Sequence, residues 1–405
     1  MFVSFTVTPR QRLLASAICL GLAATPVVAQ PLKIGIIGDQ SGPYADNGGP
    51  GSVLAARMAI EDFGGSVLGR PIELVIGDDQ NKPDVGVSMV RQWLAVEKVD
   101  TILTFSISPI ALGVAPLMAE AKKPFLIAGS GSADLTGKAC TPMSINFEYD
   151  TYATPKAVTK ALVAAGKDTW YFITVDYAFG AAMEAGATQF IKEAGGRVLG
   201  TVKHPLGTTD YSAQLIQAQA SGAKVIALAN AGADFTNAVK QAAEFNITGR
   251  GQVLASTGTT INTIVAIGLP AAKGMQFTVP FYWDKDAETR AWSRKFMARF
   301  NGRAPTFLQS GAYSAVSHYL QAVKATGTVE GEQVMAKMKA TPINSFEMKN
   351  VQIRADGTTL RPMYLVEVKT PAESKEPYDV YKIVATVPHE QVWRTPAEAG
   401  CYLMK

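Results

Sequence analysis

Histidine, cysteine and net charge are all scarce in this chain. The 3 histidines, His204, His318 and His389, stand alone, with no Cys, Asp or Glu at metal-ligand spacing. That excludes a sequence-encoded zinc site and leaves a Ser-His-Asp triad without a supported base. Nucleotide fingerprints are missing too. The loop after the first apolar run reads Gly35-Ile36-Ile37-Gly38-Asp39-Gln40-Ser41-Gly42, which is not Gly-x-Gly-x-x-Gly, and no Gly-Lys-Ser/Thr follows a strand. Gly129-Ser130-Gly131-Ser132 lacks the Gly-x-Ser-x-Gly spacing of a nucleophile elbow. No cofactor, no metal and no enzymatic activity is read from these residues.

Beyond residue 29 no stretch reaches the roughly 18 uninterrupted apolar residues of a membrane span. Before it, Arg10 and Arg12 precede the apolar run Leu13 to Ala24 and the small-residue ending Val27-Val28-Ala29. Positive flank, moderate apolar core and Val-x-Ala ending describe a secretory signal peptide over residues 1–29, with the mature chain starting at Gln30. An uncleaved signal anchor is the other reading. Taking Arg10 and Arg12 from the 38 Lys and Arg leaves 36 against 34 Asp and Glu, too even a balance to favour nucleic acid or an anionic membrane as partner. Of 3 cysteines, Cys19 lies in the leader. Cys140 and Cys401, in an exported and oxidising setting, make either one disulfide tying the tail to the first lobe or two free thiols.

What the chain has in abundance is alternation of short apolar runs with helical patterns. The 405 residues, 47% of them hydrophobic, suffice for two or three domains at roughly 150 residues each. Lys33 to Gly38 reads as a buried parallel strand, and Leu54, Met58, Ala59 and Phe63 mark the helix that follows it. Strands over Pro71–Gly77, Thr101–Phe105 and Pro124–Ala128 alternate with helices from Pro83 and Pro109. Both prolines suit a helix's first turn, where an N–H is dispensable. After a polar, aromatic connection at Glu148–Thr154, a second series has strands at Trp170–Val175, Val198–Val202, Lys224–Ala229, Val253–Ala255 and Met275–Val279. Helices over 287–301, 306–326 and 331–340 follow. Alternating segments 348–354 and 363–369 around Asp356-Gly357 predict a hairpin. The expected lobes are 30–149 plus about 284–344, and 150–283 plus about 345–405.

In parallel α/β sheets the ligand sits beyond the carboxyl ends of the strands, which points to the loop Gln40 to Asn47 with Tyr44. Ser106-Ile107-Ser108 and Ser130-Gly131-Ser132 each follow a strand. Hydroxyls and backbone amides at helix starts there form a receptor for a carboxylate without Lys or Arg, unless the serines are ordinary turn and cap residues. Phe281-Tyr282-Trp283 supplies an aromatic loop. Successive side chains point different ways, so at least one is expected to line a groove with Tyr44, Tyr149, Tyr152, Tyr177 and Phe179.

These residues resemble the periplasmic ligand-binding proteins of the branched-chain amino-acid (Leu/Ile/Val) ABC transporter family. The likeness spans Pro31 to about Lys369 and rests on Ile34-Gly35 through Ser41-Gly42-Pro43, Glu73 to Asp79, Ala111 to Leu117, and Val175-Asp176-Tyr177-Ala178-Phe179-Gly180. It implies a type I periplasmic binding protein: α/β, with two doubly wound parallel-sheet lobes joined by three crossovers and closing on a ligand between them. It also implies a periplasmic monomer that docks on inner-membrane permease subunits. The family's carboxylate positions fall on the two serine motifs, and a pocket tyrosine falls near Phe179. Where amino-acid binders hold the ligand ammonium, this chain carries Ala231 and Thr257, with Asp234 close in sequence as the one acid that could substitute. An unpaired buried ammonium is costly. The resemblance therefore narrows to the subgroup that takes up aromatic acids of benzoate or phenylpropenoate type. A Leu/Ile/Val-type amino-acid binder or a receptor's sensing domain is the alternative.

Overall fold

The computed structural model describes residues 1–5, 30–247, 251–256 and 258–404. Most of the leader region and Thr257 fall outside them. Among the described residues, no helix is long and apolar enough to cross a membrane.

The first series folds as β1 (Leu32–Gly38), α1 (Gly49–Phe63), β2 (Ser66–Val67), β3 (Arg70–Asp78), α2 (Pro83–Gln92), β4 (Thr101–Thr104), α3 (Ser108–Glu120), β5 (Phe125–Ile127) and β6 (Ser144–Asn146). Its strands lie in the order β2-β3-β1-β4-β5-β6, parallel apart from the short β2. Ile34 and Ile36 face one side, Ile37 the other, and all three are fully buried. Helices on both faces explain why the strand is apolar without alternation. The order reverses between β1 and β4, so the chain has a crevice at their carboxyl ends.

The second series repeats the plan: α4 (Ala153–Ala164), β7 (Thr169–Val175), α5 (Ala178–Glu193), β8 (Arg197–His204), α6 (Ser212–Ala220), β9 (Val225–Ala229), α7 (Gly232–Glu244) and β10 (Val253–Ser256). Its order β10-β9-β7-β8 reverses between β7 and β9. The short helices α8 (Ile261–Ile267) and α9 (Leu269–Ala272) precede β11 (Gln276–Val279).

Here the structure corrects two expectations. β11 does not extend the parallel sheet; it pairs antiparallel with β12 (Met363–Val368), which pairs with β13 (Tyr381–Val387) in a separate three-stranded sheet. The apolar run made β11 recognisable as a strand, but its partner arrives more than eighty residues later. Nor does 348–354 pair with 363–369. The Asp356-Gly357 turn closes at once, Gly357 N–H donating to Arg354 O at 2.8 Å, and the residues around it make isolated bridges, Ile343 with Val351, Ile353 with Thr359 and Asn146 with Thr358.

Between β11 and the tail come α10 (Ala287–Arg299), α11 (Phe307–Thr326) and α12 (Gly331–Ala340). Asp286 and Thr306 begin the first two with reciprocal capping boxes. Helix α11 packs along α1, so these helices belong to the first sheet's layer. The chain thus crosses between the lobes three times, near Phe147–Tyr152, Pro280–Lys285 and Thr341–Pro362. Cys140 and Cys401 are joined, with Cα atoms 5.8 Å apart, which anchors the chain's end beside the first sheet.

The fully buried Arg361 sits where the crossings meet. Its guanidinium donates to Phe147 O (3.2 Å) and Glu148 Oε1 (2.8 Å) in the first, to Pro280 O (2.8 Å) in the second, and to Glu347 Oε2 (3.1 Å) in the third. Burial raises the Glu148 carboxyl well above its ordinary range, and the adjacent guanidinium pulls the other way. Removing one partner of such a group strands the rest in a dry interior. Arg361→Ala should therefore lower unfolding free energy in urea by about 3–5 kcal/mol, and Arg361→Met combined with Glu148→Gln and Glu347→Gln should recover most of it. An unchanged denaturation midpoint for Arg361→Ala would remove the hub assignment.

Candidate functional site

The strand ends of the two sheets face each other across one cleft. A chamber of about 410 Å³, open mouth included, is lined by Tyr44 and Asn47 after β1, Phe105 to Ser108 after β4, Gly129 and Gly131 after β5, Tyr149 after β6, Tyr177 and Phe179 after β7, Ala231 after β9, and Leu308 of α11. A second chamber of about 420 Å³ shares Asn47, Tyr149, Phe179, Ala231 and Leu308 with it and continues to Thr154, Thr259, Thr260, Thr278 and Phe307. Among the described residues, neither wall carries an Asp, Glu, Lys, Arg or His.

The lobes are closed on this cleft. Tyr177 Oη donates to Tyr44 Oη at 3.1 Å, Thr260 Oγ1 to Asn47 Oδ1 at 2.9 Å, and Asn262 Nδ2 to Asp46 O at 2.8 Å. Gly232 makes this approach possible. Its φ is +59°, and a Cβ there would stand 2.6 Å from the Tyr44 ring and 2.9 Å from Pro43 O. Burial pushes the hydroxyls of Tyr44, Tyr149 and Tyr177 far above the ordinary phenol range, so all three remain protonated donors.

Ser106, Ile107 and Ser108 reach the cleft, but their hydroxyls are not equivalent. Ser106 Oγ accepts from Thr104 Oγ1 at 3.0 Å and lies beside the buried Asp79, whose carboxyl pKa is raised by burial. Ser108 is the first residue of the 13-residue α3; its hydroxyl is buried and has no partner. First-turn amides and the positive end of the helix dipole lie beside it. Gly131 also reaches the wall, where a Cβ would meet the Tyr149 ring at 2.8 Å.

Ser130 and Ser132 do not offer their hydroxyls to the cleft. Ser130 Oγ donates to Ser106 O at 2.5 Å, and Ser132 Oγ accepts from Asp134 N–H at 3.3 Å, capping a short 3₁₀ turn. The motif's glycines line the ligand space, Ser130 ties the two strand-end loops together, and Ser132 caps a turn within its own loop. Tyr152 is likewise elsewhere: its ring packs on Phe190 (4.9 Å) under Arg394, on the outer face of the crossing. Tyr149, three residues earlier, takes the place beside the cleft.

The loop Phe281-Tyr282-Trp283 is wholly internal, contrary to expectation. Exposures are 4%, 5% and 0%. The crossing they occupy is itself enclosed, so side chains pointing different ways each meet a different layer. Phe281 packs on Phe346 (6.0 Å), Tyr282 on Tyr381 (5.3 Å), and Trp283 Nε1 donates to Tyr378 O (2.8 Å).

Asp234, the acid expected nearest an ammonium, keeps its Oδ1 buried without a hydrogen-bond partner. It lies in the first turn of α7, its Oδ2 accepting from Gly207 N–H at 3.2 Å, and it is absent from both chamber walls. Ala231 does line the cleft; Thr257 is outside the described residues. Phe105, Gly129, Thr259, Thr260, Phe307 and Leu308 were not expected in the wall. The last two come from the start of α11, which tertiary packing alone brings to the cleft.

A two-lobed α/β molecule with its ligand space between opposed strand ends is a solute-capturing protein of the hinged, bilobal class. The chain belongs to the periplasmic binding protein family, matched over residues 31–375. It is similar to a periplasmic binding protein from Burkholderia mallei, 43% identical over 93% of this chain and 99% of that one, with a TM-score of 0.90. It is also similar to a branched chain amino acid ABC transporter periplasmic ligand-binding protein from Burkholderia xenovorans LB400, at 35% identity over 92% and 100% of the two chains and a TM-score of 0.81. A solute binding protein of an R. palustris ABC transporter, solved with 4-hydroxybenzoate, shares the fold at 24% identity over 88% and 97% of the chains, TM-score 0.78. The protein is an ABC-transporter substrate-binding protein, not an enzyme.

Burial raises the Asp234 carboxyl to about 6, above the ordinary aspartate value of 3.8. The folded state therefore binds more protons than the unfolded one between about pH 4 and 6, and stability falls as pH rises through that window. Asp234→Asn should gain about 1–2 kcal/mol at pH 8, none at pH 3, and leave ligand affinity unchanged. Denaturation at the two pH values, with titration calorimetry beside it, checks both halves.

Proposed function

We propose that this protein captures a small aromatic monocarboxylate between its lobes in the periplasm and delivers it to the permease of an ABC transporter. Residues 1–29 direct its export, and it works as a monomer. The observation that carries the ligand assignment is the Ser108 hydroxyl, buried and unpartnered at the start of α3 in an otherwise uncharged cleft. A carboxylate there accepts from Ser108 Oγ and from helix-start amides, charge-assisted bonds of about 1.5–3 kcal/mol each. Tyr149, Phe179, Phe105 and Leu308 supply flat and apolar walls for a ring.

An α-amino acid fits this cleft less well. No carboxylate lines it, and Asp234 is turned to Gly207. An ammonium would be buried without an anion. The likeness to the R. palustris protein at 24% identity concerns the fold, so the choice of an aromatic acid rests on the cleft.

A thermal-shift screen against benzoates, phenylpropenoates, phenylacetates and Leu, Ile and Val tests the reading. A ligand at a hundredfold excess over its Kd stabilises by about 2.7 kcal/mol. Aromatic acids should raise Tm and the amino acids should not. Ser108→Ala should weaken the best acid at least tenfold by calorimetry, consistent with loss of one charge-assisted bond. A response to the branched-chain amino acids alone would overturn the proposal.

A further inference from the structure

The cleft has a second buried hydroxyl without a partner. Thr259 Oγ1, on the loop after β10, is 3% exposed and belongs to the far chamber's wall. Its neighbours in that wall are all committed. Thr260 Oγ1 donates to Asn47 Oδ1, Thr278 Oγ1 to Thr154 O (2.8 Å), and Thr154 Oγ1 to Asp150 O (3.1 Å). A buried hydroxyl left without a partner costs more than one replaced by a methyl of the same shape, so an orphan on a residue of the cavity wall is available for a bond to a ligand. Among the described residues of the two walls, Ser108 and Thr259 carry the side-chain hydroxyls that are buried without a hydrogen-bond partner, one contributed by each lobe.

We infer that the ligand is bifunctional: a monocarboxylic acid whose far end carries a neutral oxygen, a hydroxyl or carbonyl, that hydrogen-bonds to Thr259 while the carboxylate lies against Ser108. This rests on the cleft being a carboxylate site. The far end is neutral because the far chamber has no Lys, Arg or His to pair with a second carboxylate and no Asp or Glu to pair with an ammonium. The ligand is longer than a single-ring acid, since the hydroxyls belong to different chambers that meet only across Asn47, Tyr149, Phe179, Ala231 and Leu308. An oxygenated phenylpropenoate has this outline: carboxylate, short arm, ring and distal oxygen. Because the two anchors sit on opposite lobes, a ligand satisfying both bridges the closed state, whereas one reaching only Ser108 leaves Thr259 unpaired on closure. Sites built to bond a hydroxyl discriminate against analogues lacking it more strongly than apolar pockets discriminate by size.

The test is calorimetry on the purified protein with phenylpropenoate and 4-hydroxyphenylpropenoate, and with benzoate and 4-hydroxybenzoate, for wild type, Thr259→Val, Thr259→Ser and Ser108→Ala. The wild type should prefer 4-hydroxyphenylpropenoate to phenylpropenoate by at least tenfold. Thr259→Val should abolish that preference while binding phenylpropenoate as well as wild type does, and Thr259→Ser should restore it. Ser108→Ala should weaken both phenylpropenoates alike. Thr259→Val fills the same volume and removes only an unpaired hydroxyl, so its ligand-free Tm should equal or exceed that of wild type. Equal affinity for both phenylpropenoates in the wild type, or a preference that survives Thr259→Val, overturns this inference while the Ser108 carboxylate site stands. A preference for the single-ring acids over both phenylpropenoates overturns it as well. Binding of none of the acids overturns both readings together.

Discussion

Three separate chain crossings have to be held in one place if two lobes are to close on a ligand in a defined way, and a single guanidinium does this. Arg361 bonds to Phe147 O, Glu148, Pro280 O and Glu347, one or more groups from each crossing. The pattern is connected outward. Glu347 also accepts from Ser310 (3.0 Å) and Ser314 (2.7 Å) of α11, and Trp393 Nε1 donates to Arg361 O at 2.8 Å. A planar fork with five donors can satisfy several acceptors at fixed angles, which a lysine ammonium could not do equally well. Two carboxylates beside one cation in a dry interior are expensive, so the network's worth lies in defining the geometry of the crossings as much as in net stability.

From that pivot, the cleft's chemistry follows from its emptiness of charge. The described walls hold hydroxyls, amides, aromatic rings and small residues, and Asp234, outside both walls, accepts from the Gly207 amide through Oδ2 while its Oδ1 is buried without a partner. Closure brings Tyr44 to Tyr177 and Asn47 to Thr260, polar contacts that compete with water in the open state and so contribute little by themselves. The ligand has to supply the differential affinity that favours closure. Among the described residues the cleft walls carry one buried, unpartnered hydroxyl per lobe, Ser108 and Thr259.

Strand and helix identities were legible because each follows from local pattern: apolar runs between Gly and Pro signals for the strands, capping residues and 3.6-residue spacing for the helices. The switch points could be anticipated as well, since parallel sheets with this alternation place ligands at strand ends. Partnership was not legible. β11 reads like any buried strand, yet its neighbours are β12 and β13 from the far end of the chain. The serines of 130–132 read like carboxylate ligands, yet one bonds to Ser106 O and the other caps a turn.

By itself the sequence determined that this is a two-series α/β protein whose strand-end switch points face a cleft, because composition and local periodicity are properties of neighbours along the chain. Only the tertiary structure decided which hydroxyls remain free, which aromatics are core, and which residue holds the crossings. Phe281, Tyr282 and Trp283 are buried because the crossing around them is enclosed, and Leu308 lines the cleft because α11 returns to the first lobe. Both depend on contacts between residues far apart in sequence, and no local pattern encodes them.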